Sequence, residues 1–297
     1  MKRVLVTGAL GQVGAAVAQR LRGRFEVAAH DRSTLDLALP QQIVKCVRAV
    51  KPDIIVNAAA YTAVDRAETD AQAARAVNAD APGVLAAEAA RMGAVLVHYS
   101  TDYVFDGTKQ TPYEETDPTR PLGVYGETKL AGERAIEAAG CDHVILRTSW
   151  VYGPRGKNFL LTMLNAAKTR DELRVVDDQH GAPTSALQLA RATDLLLQRG
   201  LDALRAASGT YHATAAGEVT WHGFAEAIFE RWSALAGPGF RRPRVIPIPT
   251  SEYPTPVRRP ANSRLSNAKL AATFGIALEP WETALDEVLA EIRGQTP

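Results

Sequence analysis

Arg3-Val4-Leu5-Val6-Thr7 runs directly into Gly8-Ala9-Leu10-Gly11-Gln12-Val13-Gly14, and Ala15-Ala16-Val17-Ala18-Gln19-Arg20-Leu21 follows. The first five residues read as a short buried strand and the last seven as a helix. Between them the glycines permit a tight turn and close backbone approach, while the helix N-terminus offers free N–H groups and the positive end of its dipole. Strand, glycine turn and helix in this order predict a dinucleotide pyrophosphate site at the first βα connection, against a turn that is merely structural. The candidate cofactor contacts are Gly8, Gly11, Gln12, Val13 and Gly14, spaced Gly-x-x-Gly-x-x-Gly rather than Gly-x-Gly-x-x-Gly.

The segments that follow repeat the alternation. Phe25 to Asp31 reads as a second strand, and Asp31 falls where an acid can accept hydrogen bonds from the adenosine ribose. An Asp there favours NAD, whereas the adjacent Arg32 tolerates the extra phosphate of NADP; a solvated Asp-Arg turn is the plainer alternative. Asp36 and Leu37 could border an adenine. A helix from about Pro40 to Val50 leads to a strand from Asp53 that ends in Ala58, Ala59 and Ala60, small residues suited to close contact with a cofactor. A long Ala-rich helix from about Thr69 to Met92 is expected to break near Pro82, with Asn78 satisfying a helix face or kink rather than serving as catalytic scaffolding. Gly93 to Asp102 is a strand ending in hydroxyls, and Val144 to Thr148 is another. These alternations predict an α/β fold, a doubly wound parallel sheet of the Rossmann type over residues 1–149. A returning segment is expected at about 171–200, with Leu173 to Asp177 as a further sheet strand and Ala186 to Arg199 as a helix on the same body. Residues 150–170 and 201–297 are left for a smaller C-terminal substrate lobe.

Ligand sites in such sheets lie at the carboxyl ends of the strands, which places Ser100 and Thr101 to bond a substrate oxygen, the alternative being a strand-end cluster that satisfies its own turn. The loop after them delivers Tyr125-Gly126-Glu127-Thr128-Lys129, on a helix running to about Ala139. At i and i+4 the phenol and the ammonium share a helix face. A fixed ammonium favours the phenolate, so the pair can serve as a general acid or base at neutral pH, although taken alone the spacing more often means a surface Tyr packed on a Lys stem. Residues 237–264 are rich in Pro and Arg and read as an ordered loop system; its arginines suit a phosphorylated substrate, or else form a solvated basic loop.

Composition narrows the classes. A chain of 297 residues with 46% hydrophobic and 23% charged residues is ordinary for a globular enzyme, and a net charge of +1 supplies no attraction to nucleic acid or acidic membrane. Cys46 and Cys141 have neither metal-knuckle nor redox spacing, which suits a reducing cytoplasm. Met1-Lys2-Arg3 begins like an export signal, but its apolar run stops at the glycine turn, and no later run approaches the ~20 residues of a membrane helix. Neither export nor membrane insertion is expected.

The glycine turn, Asp31, Thr101, Tyr125 and Lys129, in that order, resemble the short-chain dehydrogenase/reductase superfamily in its extended form. The resemblance continues through Asp53 to Tyr61, His98 to Phe105, Val124 to Glu133, Arg147 to Tyr152, Asp178 to Thr184, Tyr253 to Pro256 and Arg258 to Leu265. Over nearly the whole chain these motifs are similar to the dTDP-4-dehydrorhamnose reductase family. The resemblance implies reduction of the C4 ketone of a dTDP-4-dehydro-6-deoxy-L-mannose to dTDP-L-rhamnose with NADPH or NADH. It makes Tyr125 the proton donor, with Lys129 lowering its pKa and holding the nicotinamide ribose, and Thr101 a hydrogen-bond partner of the carbonyl oxygen. Asp102 joins Thr101 on the substrate side, Trp150 packs near the sugar, and Arg258, Asn262 and Ser263 lie towards the nucleotide diphosphate. Two readings compete: a ketoreductase for another nucleotide deoxysugar, and a non-catalytic NADP-binding regulatory subunit.

In one respect the sequence departs from the family. Some members carry glutamates for a metal-linked dimer contact where this chain has Ala16 and Leu187, neither of which can ligate a cation. No metal is therefore expected, and any homodimer would be assembled differently. Activity at saturating cofactor should persist in a chelator; a collapse that magnesium restores would overturn this.

Overall fold

Val4, Leu5 and Val6 are fully buried in strand β1 (Arg3–Thr7) of the computed structural model, which describes residues 1–295. A run apolar on both faces belongs in the middle of a parallel sheet covered by helices on each side, and that is where it lies. Strands β2 (Glu26–His30), β3 (Ile54–Asn57), β4 (Val95–Thr101) and β5 (His143–Thr148) join it with a sixth strand, Gly209–His212. Their order is Gly209–His212, β5, β4, β3, β1, β2, and every neighbouring pair is parallel.

The period-2 alternation of the strands divides the core between two faces. Val4 and Val6 pack with Val17, Leu21, Leu189 and Leu196, from helices Gln12–Leu21 and Ala186–Gln198. Leu5 and Ile55 pack on the opposite face with Ile43, Val47, Leu85 and Ala89, from helices Pro40–Val50 and Ala81–Met92. A third core, built from Tyr152, Leu160, Leu173, Val175, Phe224, Ile228, Trp281 and Leu285, defines the C-terminal lobe.

Three details differ from the sequence expectations. The strand expected at Leu173 to Asp177 forms at Glu172–Val176, but it pairs with Arg244–Ile248 in a separate two-stranded sheet. The sixth central strand is instead Gly209–His212, too short to stand out in the sequence. Periodicity finds a strand but does not name its partner, which is chosen by the surface left unburied. Leu270, Phe274, Ile276 and Leu278 also join the core of the sheet, so the body draws on more of the C-terminal half than the 171–200 segment. The Ala-rich helix is not broken at Pro82: a π-helical turn, Ala76–Asp80, precedes Pro82, which occupies the first turn of Ala81–Met92. Proline there loses no intrahelical bond.

Candidate active site

An open cleft of about 1220 Å³ runs along the carboxyl ends of the strands. Gly8, Gly11, Gln12 and Val13 line it after β1, Asp31, Arg32, Asp36 and Leu37 after β2, and Ala58, Ala59 and Ala60 after β3. Thr101 ends β4 and Asp102 follows it, Trp150 follows β5, and Tyr125 and Lys129 enter from the helix Val124–Ala138.

The glycine turn has the shape a pyrophosphate needs. Gly8 adopts φ 69°, and a Cβ there would sit 2.9 Å from the Ala59 backbone. Gly14 does not line the cleft: a Cβ on it would come within 2.2 Å of the Gly8 carbonyl, so its bareness lets the helix close against the turn. The Asp31 carboxylate accepts from Ser33 N at 2.8 Å, from the Ser33 hydroxyl and from Thr34 N, all at Oδ1. These bonds hold its pKa below the usual carboxylate value and leave Oδ2 for a ribose hydroxyl. The solvated-turn reading and the ribose reading are therefore compatible, one for each oxygen. Arg32 projects into solvent with a 3.8 Å ion pair to Asp36. The residues present thus fit a nicotinamide dinucleotide.

Thr101 is 5% exposed; its hydroxyl accepts from Tyr103 N at 3.2 Å and lies 3.0 Å from Asp102 Oδ1 as donor. Tyr103 sets its ring edge-on to Tyr125, centroids 5.4 Å apart. Burial pushes the Tyr125 phenol well above its ordinary pKa, partly offset by a hydrogen bond with Thr101. Lys129 is 2% exposed, and burial lowers its pKa to about 8. Its Nζ donates to the Tyr99 carbonyl at 2.6 Å and lies 3.2 Å from His98 Nε2. The i, i+4 spacing does bring Tyr125 and Lys129 to one cleft, but the ammonium end reaches β4 rather than the phenol. Lys129 therefore does not lower the Tyr125 pKa in this arrangement. A phenol that keeps its proton is the form a reduction requires of its acid.

Asp102 is 3% exposed, its Oδ2 lacks a hydrogen-bond partner, and burial raises its pKa to about 6. Between about pH 4 and pH 6 the folded chain holds this proton and the unfolded chain does not, so the residue's contribution to stability is lost as pH rises through that window. Asp102→Asn should remove that slope and raise stability at pH 7 by on the order of 1–3 kcal/mol. Denaturant midpoints across pH 4–8 check this; an unchanged slope would refute it.

The substrate side divides. Trp150 stands in the cleft with φ 49°, stacked on Trp221 at 3.6 Å and backed by Gly181, where a Cβ would meet its ring at 2.5 Å. Ser263 is buried beside the Asp102 carboxylate and works against the rise in its pKa. Asn262 turns away: its amide donates to the Lys109 and Thr111 carbonyls and accepts from Arg264, tying two loops together. Arg258 is exposed and does not line the cleft. The neighbouring Arg259 reaches the cleft wall instead, bonding the Tyr103 hydroxyl at 3.1 Å and pairing with Asp65 at 2.6 Å. In a Pro-rich loop without periodicity no residue pattern tells Arg258 from Arg259. Tyr103, Trp221 and His98 were also missed, since their roles depend on contacts across the fold. Asn78 behaves as expected for a kink: it accepts from Tyr61 N at 2.8 Å and donates to Tyr61 O at 3.0 Å.

The doubly wound sheet, the glycine turn and the convergence of Thr101, Tyr125 and Lys129 define a protein of the extended short-chain dehydrogenase/reductase class. Residues 1–293 match the family model described as the RmlD substrate binding domain, and the chain belongs to that family. It is 50% identical over 297 residues to the dTDP-4-dehydrorhamnose reductase of Burkholderia thailandensis, covering 99% of this chain and 100% of that one. Among solved structures it resembles a dTDP-4-dehydrorhamnose reductase from Clostridium acetobutylicum, with TM-score 0.90, 39% identity, and coverage of 98% and 99% of the two chains. Another from Bacillus anthracis, solved in complex with NADP, gives TM-score 0.90 and 33% identity with the same coverage. No described helix is long and apolar enough to cross a membrane.

Proposed function

We propose that this protein catalyses NAD(P)H-dependent reduction of the C4 ketone of dTDP-4-dehydro-L-rhamnose to dTDP-L-rhamnose. The observation that carries the reading is the meeting of Thr101, Tyr125 and Lys129 in the cleft that begins at the Gly8 turn, in a chain similar end to end to reductases of that sugar. The glycine turn would hold the pyrophosphate of the reduced dinucleotide, Asp31 a ribose hydroxyl and Ala58 to Ala60 its flank, and the cofactor when bound would supply the hydride. Thr101 orients the ketone oxygen, and Tyr125 hands it the phenolic proton, so hydride and proton together give the alcohol. Both act where negative charge develops, which lowers the barrier rather than merely strengthening binding. Lys129 steadies the nicotinamide ribose, and Trp150, fixed by its stack on Trp221, lines the cleft beside the sugar.

Product identification after incubation with dTDP-4-dehydrorhamnose and each reduced cofactor tests the reading; absence of dTDP-L-rhamnose with both would overturn it. Arg32, 88% exposed and held only by a 3.8 Å pair with Asp36, stands where it could meet the 2′-phosphate of NADPH. Arg32→Ala should therefore raise KM for NADPH by roughly 10-fold, the loss of one charge-assisted contact, and leave KM for NADH unchanged. Steady-state kinetics with both cofactors checks this, and equal effects on the two would count against it.

A further inference from the structure

A loop of the C-terminal lobe lies against the glycine turn. Gly153-Pro154-Arg155-Gly156-Lys157-Asn158 runs between Tyr152 and Leu160, both buried in the core of that lobe, yet it touches the first residue of the helix Gln12–Leu21. The Asn158 amide donates to Gln12 Oε1 at 2.8 Å, and a Cβ on Gly156 would meet Gln12 Cγ at 3.3 Å. Gly156 and Lys157 line the cleft together with Gly11, Gln12 and Val13. The loop is pinned in this position. Asn158 also donates to the Gly153 and Arg155 carbonyls, and its Oδ1 accepts from Leu161 N to cap the helix Phe159–Ala166. Gly156 takes φ 81°, where a side chain would be strained.

The turn itself brings little charge to a pyrophosphate. Gly8 to Gly14 carry no basic side chain, so backbone N–H groups and about half a positive charge from the helix dipole would face two full negative charges. Two donors beside the turn are uncommitted. Asn158 occupies the oxygen of the Gln12 amide, and the amide nitrogen has no acceptor among the described residues. Lys157 is exposed, and its ammonium has neither an ion-pair nor a hydrogen-bond partner among the described residues. Other cations at the cleft are already engaged: Arg66 pairs with Asp70, Arg259 with Asp65, and Lys129 donates to the Tyr99 carbonyl. Arg155, on the same loop and also exposed, does not line the cleft. A compact charge on a flexible four-carbon stem suits a phosphate whose place is fixed by another element.

We propose that Lys157, supplied by the C-terminal lobe, is a cofactor-binding residue whose ammonium would pair with the pyrophosphate of the dinucleotide at the Gly8 turn. This assignment deepens the functional reading above and rests on that turn being a dinucleotide site. The chemistry recognised is a diphosphate, which the cleft would meet twice, once on the cofactor and once on the nucleotide sugar. The contacts of Gly156 and Asn158 with Gln12 assign Lys157 to the cofactor's. NADH and NADPH share this pyrophosphate, so the lysine serves both alike, unlike Arg32, which can meet only the extra phosphate of NADPH. A cofactor gripped from both sides would also tie the C-terminal lobe to the sheet before the sugar enters.

Calorimetric titration of the full chain tests this without turnover. The probes are NADH, NADPH, ADP-ribose, which keeps the pyrophosphate but lacks the nicotinamide, and dTDP added at saturating NADPH. Lys157→Ala is expected to raise Kd for NADH, NADPH and ADP-ribose alike, roughly 3–10-fold at low salt, and to leave Kd for dTDP unchanged. The deficit should shrink as added salt screens the exposed pair, and Lys157→Arg should recover most of the affinity. Arg155→Ala, the same loss of charge on the same loop, should leave every Kd within about 2-fold of wild type. A loss confined to dTDP would give the lysine to the sugar's diphosphate and overturn the proposal. Equal losses for Arg155→Ala and Lys157→Ala, the mark of a general field, would overturn it too. If the wild type binds none of NADH, NADPH and ADP-ribose, the cofactor reading fails and the assignment with it. If the wild type binds them and Lys157→Ala binds them equally well, only the role of Lys157 fails.

Discussion

Tyr125→Phe is expected to lower kcat roughly 10²–10⁴-fold while the protein still binds its reduced cofactor. The phenyl ring fills the same space against Tyr103 but has no proton to give. Burial keeps the wild-type phenol protonated through neutral pH, so the lost group is the acid itself rather than a titrating switch. Single-turnover reduction of dTDP-4-dehydrorhamnose, with fluorescence titration of NADPH, separates chemistry from binding. A variant as fast as wild type would refute the role given to Tyr125. If both proteins bind cofactor and neither reduces any ketosugar, the regulatory-subunit reading gains ground.

The second large effect concerns the fold that carries the site. Glu133, one turn beyond Lys129, is 2% exposed and receives Arg147 Nε and Nη2, the latter at 2.6 Å, together with the Ser100 hydroxyl. It clamps the Val124–Ala138 helix to β5 and to the residue before Thr101. Arg147 is 5% exposed, and its Nη1 has no hydrogen-bond partner. Glu133→Ala leaves that guanidinium buried without a counter-charge, and should cost about 3–5 kcal/mol of folding stability. Glu88→Ala provides the contrast: Glu88 is equally buried, but the side chain of its partner Arg48 is 49% exposed and can be hydrated when left alone. Chemical denaturation at constant pH checks both. A loss for Glu133→Ala no larger than for Glu88→Ala would show that the buried pair does not hold the helix.

Much of this architecture is legible in the residues. Arg3 to Leu21 specify strand, turn and helix through a short apolar run, three glycines and a 3.6-residue period, all of them local signals. The helix Pro40–Val50 follows from its first-turn proline, and Tyr125 with Lys129 follows from i, i+4 spacing. Residue types and short spacings therefore determined the α/β class, the glycine turn and the placing of Tyr125 and Lys129 on one helix face. The fold alone decided the pairings between distant segments. Whether Glu172–Val176 joins the central sheet or Arg244–Ile248 depends on which apolar face remains to be covered once the sheet has closed. Whether Arg258 or Arg259 meets the cleft depends on which way an aperiodic loop turns. The end of Lys129 went to Tyr99 and His98 rather than to Tyr125, because a long flexible side chain follows the acceptors that tertiary packing places near it. Helical spacing could bring the two residues to one cleft, but only the neighbouring strand could decide what the end of the lysine touches.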